Sequence, residues 1–180
     1  MILELADDVR VAREGDADAF DRLVSQQADG AYRLAVAIVG PADAADVVQE
    51  AFLDAWRGLR SLREADRFEP WLRRIVINRC RMALRSTRRH QARVRAEADM
   101  HRQEGGLSDD FRLGSETRAS LEQAFEALSA DQRIVLALHY VTDLTIAAVA
   151  VELRLPIGTA KSRLAAALAA MRRALEEQSS

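Results

Sequence analysis

The stretch from Phe68 to Arg89, FEPWLRRIVINRCRMALRSTRR, constrains this chain more than any other. Placed on a helix beginning near Pro70, Arg74, Asn78, Arg81, Arg85 and Arg88 follow one another at spacings of four, three, four and three residues, which puts them on one face. Trp71, Leu72, Ile75, Val76, Met82 and Ala83 take the opposite side. The pattern therefore predicts a helix packed on a core with a guanidinium stripe turned outward. A charged face is often merely solvated. Surface helices usually mix signs, however, and from Arg73 to Arg95 there is no acidic residue, so the self-repulsion goes uncompensated unless a polyanion is the partner. The stripe points to nucleic acid.

Charge elsewhere is segregated in the same sense. Residues 1–56 hold 4 basic and 12 acidic side chains, 57–95 hold 13 and 3, 96–131 hold 3 and 9, and 132–180 hold 6 and 4, so the net charge of −2 hides a bipolar molecule. Lys161 is the only lysine; with the alanine excess this fits a high-GC coding bias, so arginine at any one site carries little weight. The 180 residues suffice for one domain or two small ones, and an apolar fraction of 49% is enough to bury cores. Cys80 is the only cysteine, which excludes an intrachain disulfide and a cysteine-held zinc. His90, His101 and His139 are scattered, so no metal site and no cofactor are expected. The opening MILELADD is too short and acidic for a cleavable signal, and no apolar run reaches the roughly 18 residues of a membrane span. A cytoplasmic protein is expected.

Along the chain, apolar residues from Val11 to Ile38 recur with helical spacing around a break at Gly15-Asp16 and at Gly30, which fits two helices. Gly40-Pro41 punctuates, and Asp43 is placed to cap the next helix, ADAADVVQEAFLDAWRGL. Its inward face is Ala44, Val48, Ala51, Phe52, Ala55 and Trp56. Its outward face carries Asp46, Gln49, Glu50 and Leu53, either a solvated surface or, given a leucine among polar groups, a protein contact. Ser61 to Glu69 reads as a loop. From Gln91 to Glu116 the chain turns polar, with a Gly105-Gly106 pair and a partly helical pattern over Val94 to Met100; this is a semi-flexible linker. The organisation expected is all-α: a helical domain over 1–90, the linker 91–116 and a second helical domain over 117–180.

In the second domain, Leu121, Ala124, Phe125 and Leu128 mark a short helix, and Ser129-Ala-Asp-Gln caps another with Ile134, Val135, Leu138 and Tyr140 inward. A helix from Thr145 to Leu153, a turn from Arg154 to Gly158 and a helix from Thr159 to about Glu176 then have the layout of a helix-turn-helix. Small Ala150 and Ala160 stand where the two helices must approach. Thr159 is placed to cap the second helix, leaving Lys161, Ser162 and Arg163 exposed where a recognition helix meets bases and phosphates. The alternative is an alanine-rich amphipathic hairpin; the turn chemistry and the polar helix start favour DNA.

In this order the pieces resemble the extracytoplasmic-function (ECF), or group IV, sigma factors of bacterial RNA polymerase. DAADVVQEAFLDAWR is similar to the core-binding helix of region 2.2, the Arg helix to regions 2.3 and 2.4, and LPIGTAKSRL to region 4.2. The resemblance implies core RNA polymerase and promoter DNA as partners, leaves room for an anti-sigma factor, and implies neither catalysis nor a small-molecule substrate. It assigns core binding to Asp46, Gln49, Glu50 and Leu53, the −10 element to Arg74, Asn78, Arg81, Arg85 and Arg88, and the −35 element to Thr159, Lys161, Ser162 and Arg163. The loop Ser61 to Glu69 would receive a base flipped from the non-template strand. With regions 1 and 3 missing, the acidic linker would thread toward the RNA exit path. Arg154 replaces a small residue usual in the turn, Ala45 an acid usual in region 2.2, and Ala165 to Leu168 basic residues usual in region 4.2, which implies a weaker or differently specified −35 contact. A stand-alone helix-turn-helix regulator would explain residues 129–176 but neither the outward patch nor the separate Arg helix. An enzyme lacks any phosphate loop, nucleophile motif or metal cluster to build on.

Overall fold

The computed structural model describes residues 2–100, 124–125 and 127–178. Within them the chain forms seven α-helices: α1 Ile2–Arg13, α2 Ala17–Val39, α3 Pro41–Gly58, α4 Phe68–Met100, α5 Ala130–Tyr140, α6 Ile146–Leu153 and α7 Ile157–Gln178. No strand occurs among the described residues.

The breaks follow local chemistry. Asp16 caps α2, its carboxylate accepting from the Ala19 amide at 2.7 Å. Gly30, read as an interruption, lies inside an unbroken α2. Gly40 adopts φ 90° and closes α2 onto the Val36 carbonyl, and Pro41 opens α3 immediately after it. Asp43 is thus not the cap. Proline at the first helical position has its φ preset and lacks only an N–H that would be orphaned anyway; Asp43 sits within the first turn, where its charge faces the positive end of the helix dipole.

The core of the N-terminal helices is built from Leu23, Ile38, Phe52, Phe68, Leu72, Val76, Ile77 and Cys80. Two short 3-10 turns, Leu59–Ser61 and Ala65–Arg67, carry the chain from α3 to α4, pinned by buried Leu59 and Leu62. Helix α4 starts at Phe68, two residues before Pro70, and runs on through Gln91 to Met100, so the first part of the polar stretch is helix. The rest of the proposed linker, 101–116, lies outside the described residues. Met82 was expected to face inward but is 56% exposed. It stands about 240° around the helix from Val76, whereas Cys80 and Ile77 fall within the buried arc. Burial pushes the Cys80 thiol up to about 12, so it is an inert core group.

In the C-terminal part, Ser129 and Gln132 form the reciprocal capping box of α5. Tyr140, expected inward, is 59% exposed at the end of α5, its ring edge-on to His139. Thr145 caps α6. Ala150 and Ala160 are buried where α6 and α7 approach. Helix α7 begins at Ile157, two residues before Thr159: the amides of Thr159 and Ala160 donate to the Pro156 carbonyl at 2.9 and 3.1 Å. Thr159 is therefore in the first turn and is not the cap, because Pro156 supplies the carbonyl that starts the helix.

Arg154 ends α6 at φ 54°, ψ 46°, a left-handed conformation in which a Cβ is disfavoured. Glycine is the usual occupant of such a position. Arg154→Gly is expected to raise unfolding stability by about 0.5–1 kcal/mol, the relief of that strain less the added freedom of the unfolded chain; denaturant titration against the parent chain reads it.

The two halves are packed together. Ile134, Val135, Ala137, Leu138 and Val149 from α5 and α6 belong to the same continuous core as the helices of the first half, and Leu128, Leu136 and Ala167 form a smaller second cluster beneath α7.

Candidate nucleic-acid interface

On α4, Asn78, Arg85 and Arg88 are exposed, while Arg74 and Arg81 are partly covered. The spacing places all five on the side of the helix away from Leu72, Val76 and Cys80, which are buried. An amide side chain thus stands among arginines. It is the one group of the five able both to donate to and to accept from a base edge, whereas a guanidinium only donates. At the N-terminal end of this face lies the turn segment 61–67, with Ser61, Arg63, Glu64, Asp66 and Arg67 exposed.

The patch on α3 is exposed at Asp46, Gln49, Glu50 and Leu53. Two features go beyond the sequence reading. Leu53, 48% exposed, borders an apolar groove of about 450 Å³ with Phe20, Val24, Phe52 and Trp56. Trp56 was assigned to the inward face, yet it is 37% exposed and lies against the Phe20 ring at 4.9 Å, forming one wall of that groove. Glu50, in turn, is not a free acid. Arg79 on α4 donates to both oxygens of Asp54 and to Glu50, all at 2.5 Å, a bidentate clamp between α3 and α4. The hydrogen bond from Arg79 holds the Asp54 carboxyl below its usual range, and the Asp54 carboxylate raises the Arg79 guanidinium. Arg79 sits one residue off the stripe; sequence offers only its position, since its partners lie 25 and 29 residues earlier.

On α7, Lys161 and Ser162 are exposed, and Thr159 and Arg163 are half-buried. Ser162 donates its hydroxyl to the Thr159 carbonyl at 3.0 Å. Arg163 Nη1 lies 3.0 Å from Asp131 on α5. The same carboxylate lies 3.6 Å from Arg81 Nη2 of α4, so the two separately predicted basic sites meet at one acid. Glu152 of α6 repeats the arrangement with Arg73 and Arg74. Its only sequence signal is a lone acid in the apolar run TIAAVAVELRL. Among the described residues no cluster of three or more metal-ligating side chains occurs, and no helix is long and apolar enough to cross a membrane.

Comparison with known proteins places these surfaces in context. The chain matches the family profile Sigma-70 region 2 over residues 23–90 and Sigma-70, region 4 over residues 118–171. It is 32% identical over 171 residues to the ECF RNA polymerase sigma-E factor of Escherichia coli K12, covering 89% of this chain and 90% of that one. It is 33% identical over 177 residues to the RNA polymerase sigma-H factor of Pseudomonas aeruginosa, covering 93% and 92%. Among solved structures, the sigma factor RpoE of Bartonella quintana, determined in complex with the anti-sigma factor NepR, matches with a TM-score of 0.61 over 87% of this chain and 96% of that one; at 23% identity this marks a shared fold.

Proposed function

The chain belongs to the ECF branch of the sigma-70 family, and on that premise we propose how its surfaces divide the task of promoter recognition. As an RNA polymerase sigma factor it directs transcription initiation. Factors of this family act without catalysing a reaction of their own, and we assign this chain no active site and a cytoplasmic location. Its partners in this reading are core RNA polymerase, promoter DNA and an anti-sigma factor.

The N-terminal unit, 1–90, takes core polymerase and the −10 element; the linker, 91–116, joins it to the −35-binding unit, 117–180. Asp46, Gln49 and Leu53, with the groove beside Trp56, form the core-binding surface, and Glu50 contributes while clamped by Arg79. Arg74, Asn78, Arg81, Arg85 and Arg88 hold the separated −10 strand, with the 61–69 segment positioned to take a flipped base. Thr159, Lys161, Ser162 and Arg163 meet the −35 duplex. The observation that carries this reading is the exposed Asn78 within an arginine face whose reverse side is core: affinity and choice of base are separable on one helix. A stand-alone regulator has no use for the α3 surface.

The −35 contact is testable alone. The start of α7 presents one lysine and one arginine, so Lys161→Ala is expected to flatten the slope of log affinity against log salt for duplex binding by the holoenzyme by about one unit, the loss of one phosphate contact. An unchanged slope removes Lys161 from the interface.

A further inference from the structure

The second half of the chain lies on the first through a shared apolar core and, beside it, through carboxylates. Glu152 is 8% exposed; its Oε2 lies 3.6 Å from Arg73 Nη1 and its Oε1 4.0 Å from Arg74 Nε. Asp131 bridges Arg81 at 3.6 Å and Arg163 at 3.0 Å. Arg133 Nη1 adds a bond to the Ile38 carbonyl across the same boundary. Cations assigned to the −10 strand and to the −35 duplex are therefore occupied by acids of the same chain, where DNA phosphates would otherwise sit.

We propose that Asp131 and Glu152 form an autoinhibitory clasp: two carboxylates that stand in for phosphate, hold α5 and α6 against α4, and mask Arg74 and Arg81 of the DNA-binding face until the halves separate. The proposal rests on the DNA role of Arg74 and Arg81 argued above.

The clasp is built to open. The three ion pairs that cross between the halves, at 3.6, 4.0 and 3.6 Å, all exceed hydrogen-bond range, and the closer Arg163–Asp131 pair at 3.0 Å lies within the C-terminal half. Arg74 Nε and Glu152 Oε1 are both buried and both lack a hydrogen-bond partner. An ion pair that gives up water without gaining hydrogen bonds recovers little of its desolvation cost, so the charges rehydrate at small loss on separation, and the apolar contacts of Ile134, Val135, Leu138 and Val149 are the main cost of opening. A polyanion then competes directly for the guanidinium groups. The apolar groove beside Leu53 and Trp56 is lined only by α2 and α3, so core polymerase can engage the closed chain. DNA affinity of the free chain is lowered by the closed fraction, because only the open form binds.

The test uses the full chain and a fluorescein-labelled mixed-sequence 20-nucleotide single strand, read by anisotropy, with small-angle X-ray scattering on the same samples. D131N/E152Q is expected to bind about tenfold tighter than the parent, the gain for a clasp closed about nine-tenths of the time, with a larger radius of gyration. Asp131→Asn alone, at a half-buried helix start, is expected to gain about threefold as one of two clasp acids, and it supplies the answer if the double variant fails to fold. Adding Arg81→Ala to the open variant should remove most of the gain. Unchanged affinity in both acid variants overturns the clasp. If Arg81→Ala still weakens the parent, the DNA assignment survives that failure; if it does not, both fall.

Discussion

Core polymerase is expected to bind D46R/L53D more weakly than the parent chain by about 3 kcal/mol or more, over a hundredfold in Kd. The effect is large because Leu53 is the apolar centre of an exposed polar patch and borders the groove walled by Trp56. A carboxylate there carries an unpaired charge into a contact that excludes water, and Asp46→Arg reverses a charge on the same face. Glu50 is left in place because it completes the Arg79 clamp, and reversing it would set a lysine against Arg79 and loosen α3 from α4. Both altered positions are exposed, so thermal stability should stay within about 0.5 kcal/mol of the parent. Wild-type retention of the variant on immobilised core polymerase would remove the patch from the interface.

Asn78→Ala is expected to leave core binding and −35 binding intact while the holoenzyme loses roughly 1–3 kcal/mol of discrimination at one −10 position, the worth of a good base contact. In the proposed role the neighbouring arginines would neutralise phosphate or stack, which is largely indifferent to sequence. R81A/R85A should therefore reduce open-complex formation on every promoter alike, and less on templates carrying a pre-melted bubble. Permanganate reactivity on matched and mismatched −10 sequences separates the two outcomes. An equal loss on all sequences for Asn78→Ala would make it a structural residue and leave base reading to the 61–69 segment.

Much of this architecture is legible in the chain because it is local. The Arg stripe, the Ser129–Gln132 box, the Gly40-Pro41 break and the small residues at 150 and 160 each follow from periodicity or cap chemistry within a few residues. Helix starts lie two or three residues earlier than the polar side chains suggest where proline sets the register, as at Pro41 and Pro156, since a polar side chain nearby looks like a cap whether or not it serves as one. Met82 and Tyr140 are exposed despite their apolar type, because the angle on the helix and the place at a helix end decide burial. Contacts between distant segments left no such trace. The Arg79 clamp joins positions 25 and 29 residues apart, and the Asp131 and Glu152 pairs join the two halves, so neither local pattern nor composition could reveal that the basic stripe is partly occupied from within.

In this role the chain gives core polymerase its choice of promoter. Run-off transcription on fragments of its own genome, with purified core polymerase and the chain added separately and together, tests it most directly. Discrete transcripts are expected only when both are present, with permanganate-reactive thymines at the −10 position of each start. No transcript from the pair, together with a footprint on duplex DNA from the chain alone, would contradict it.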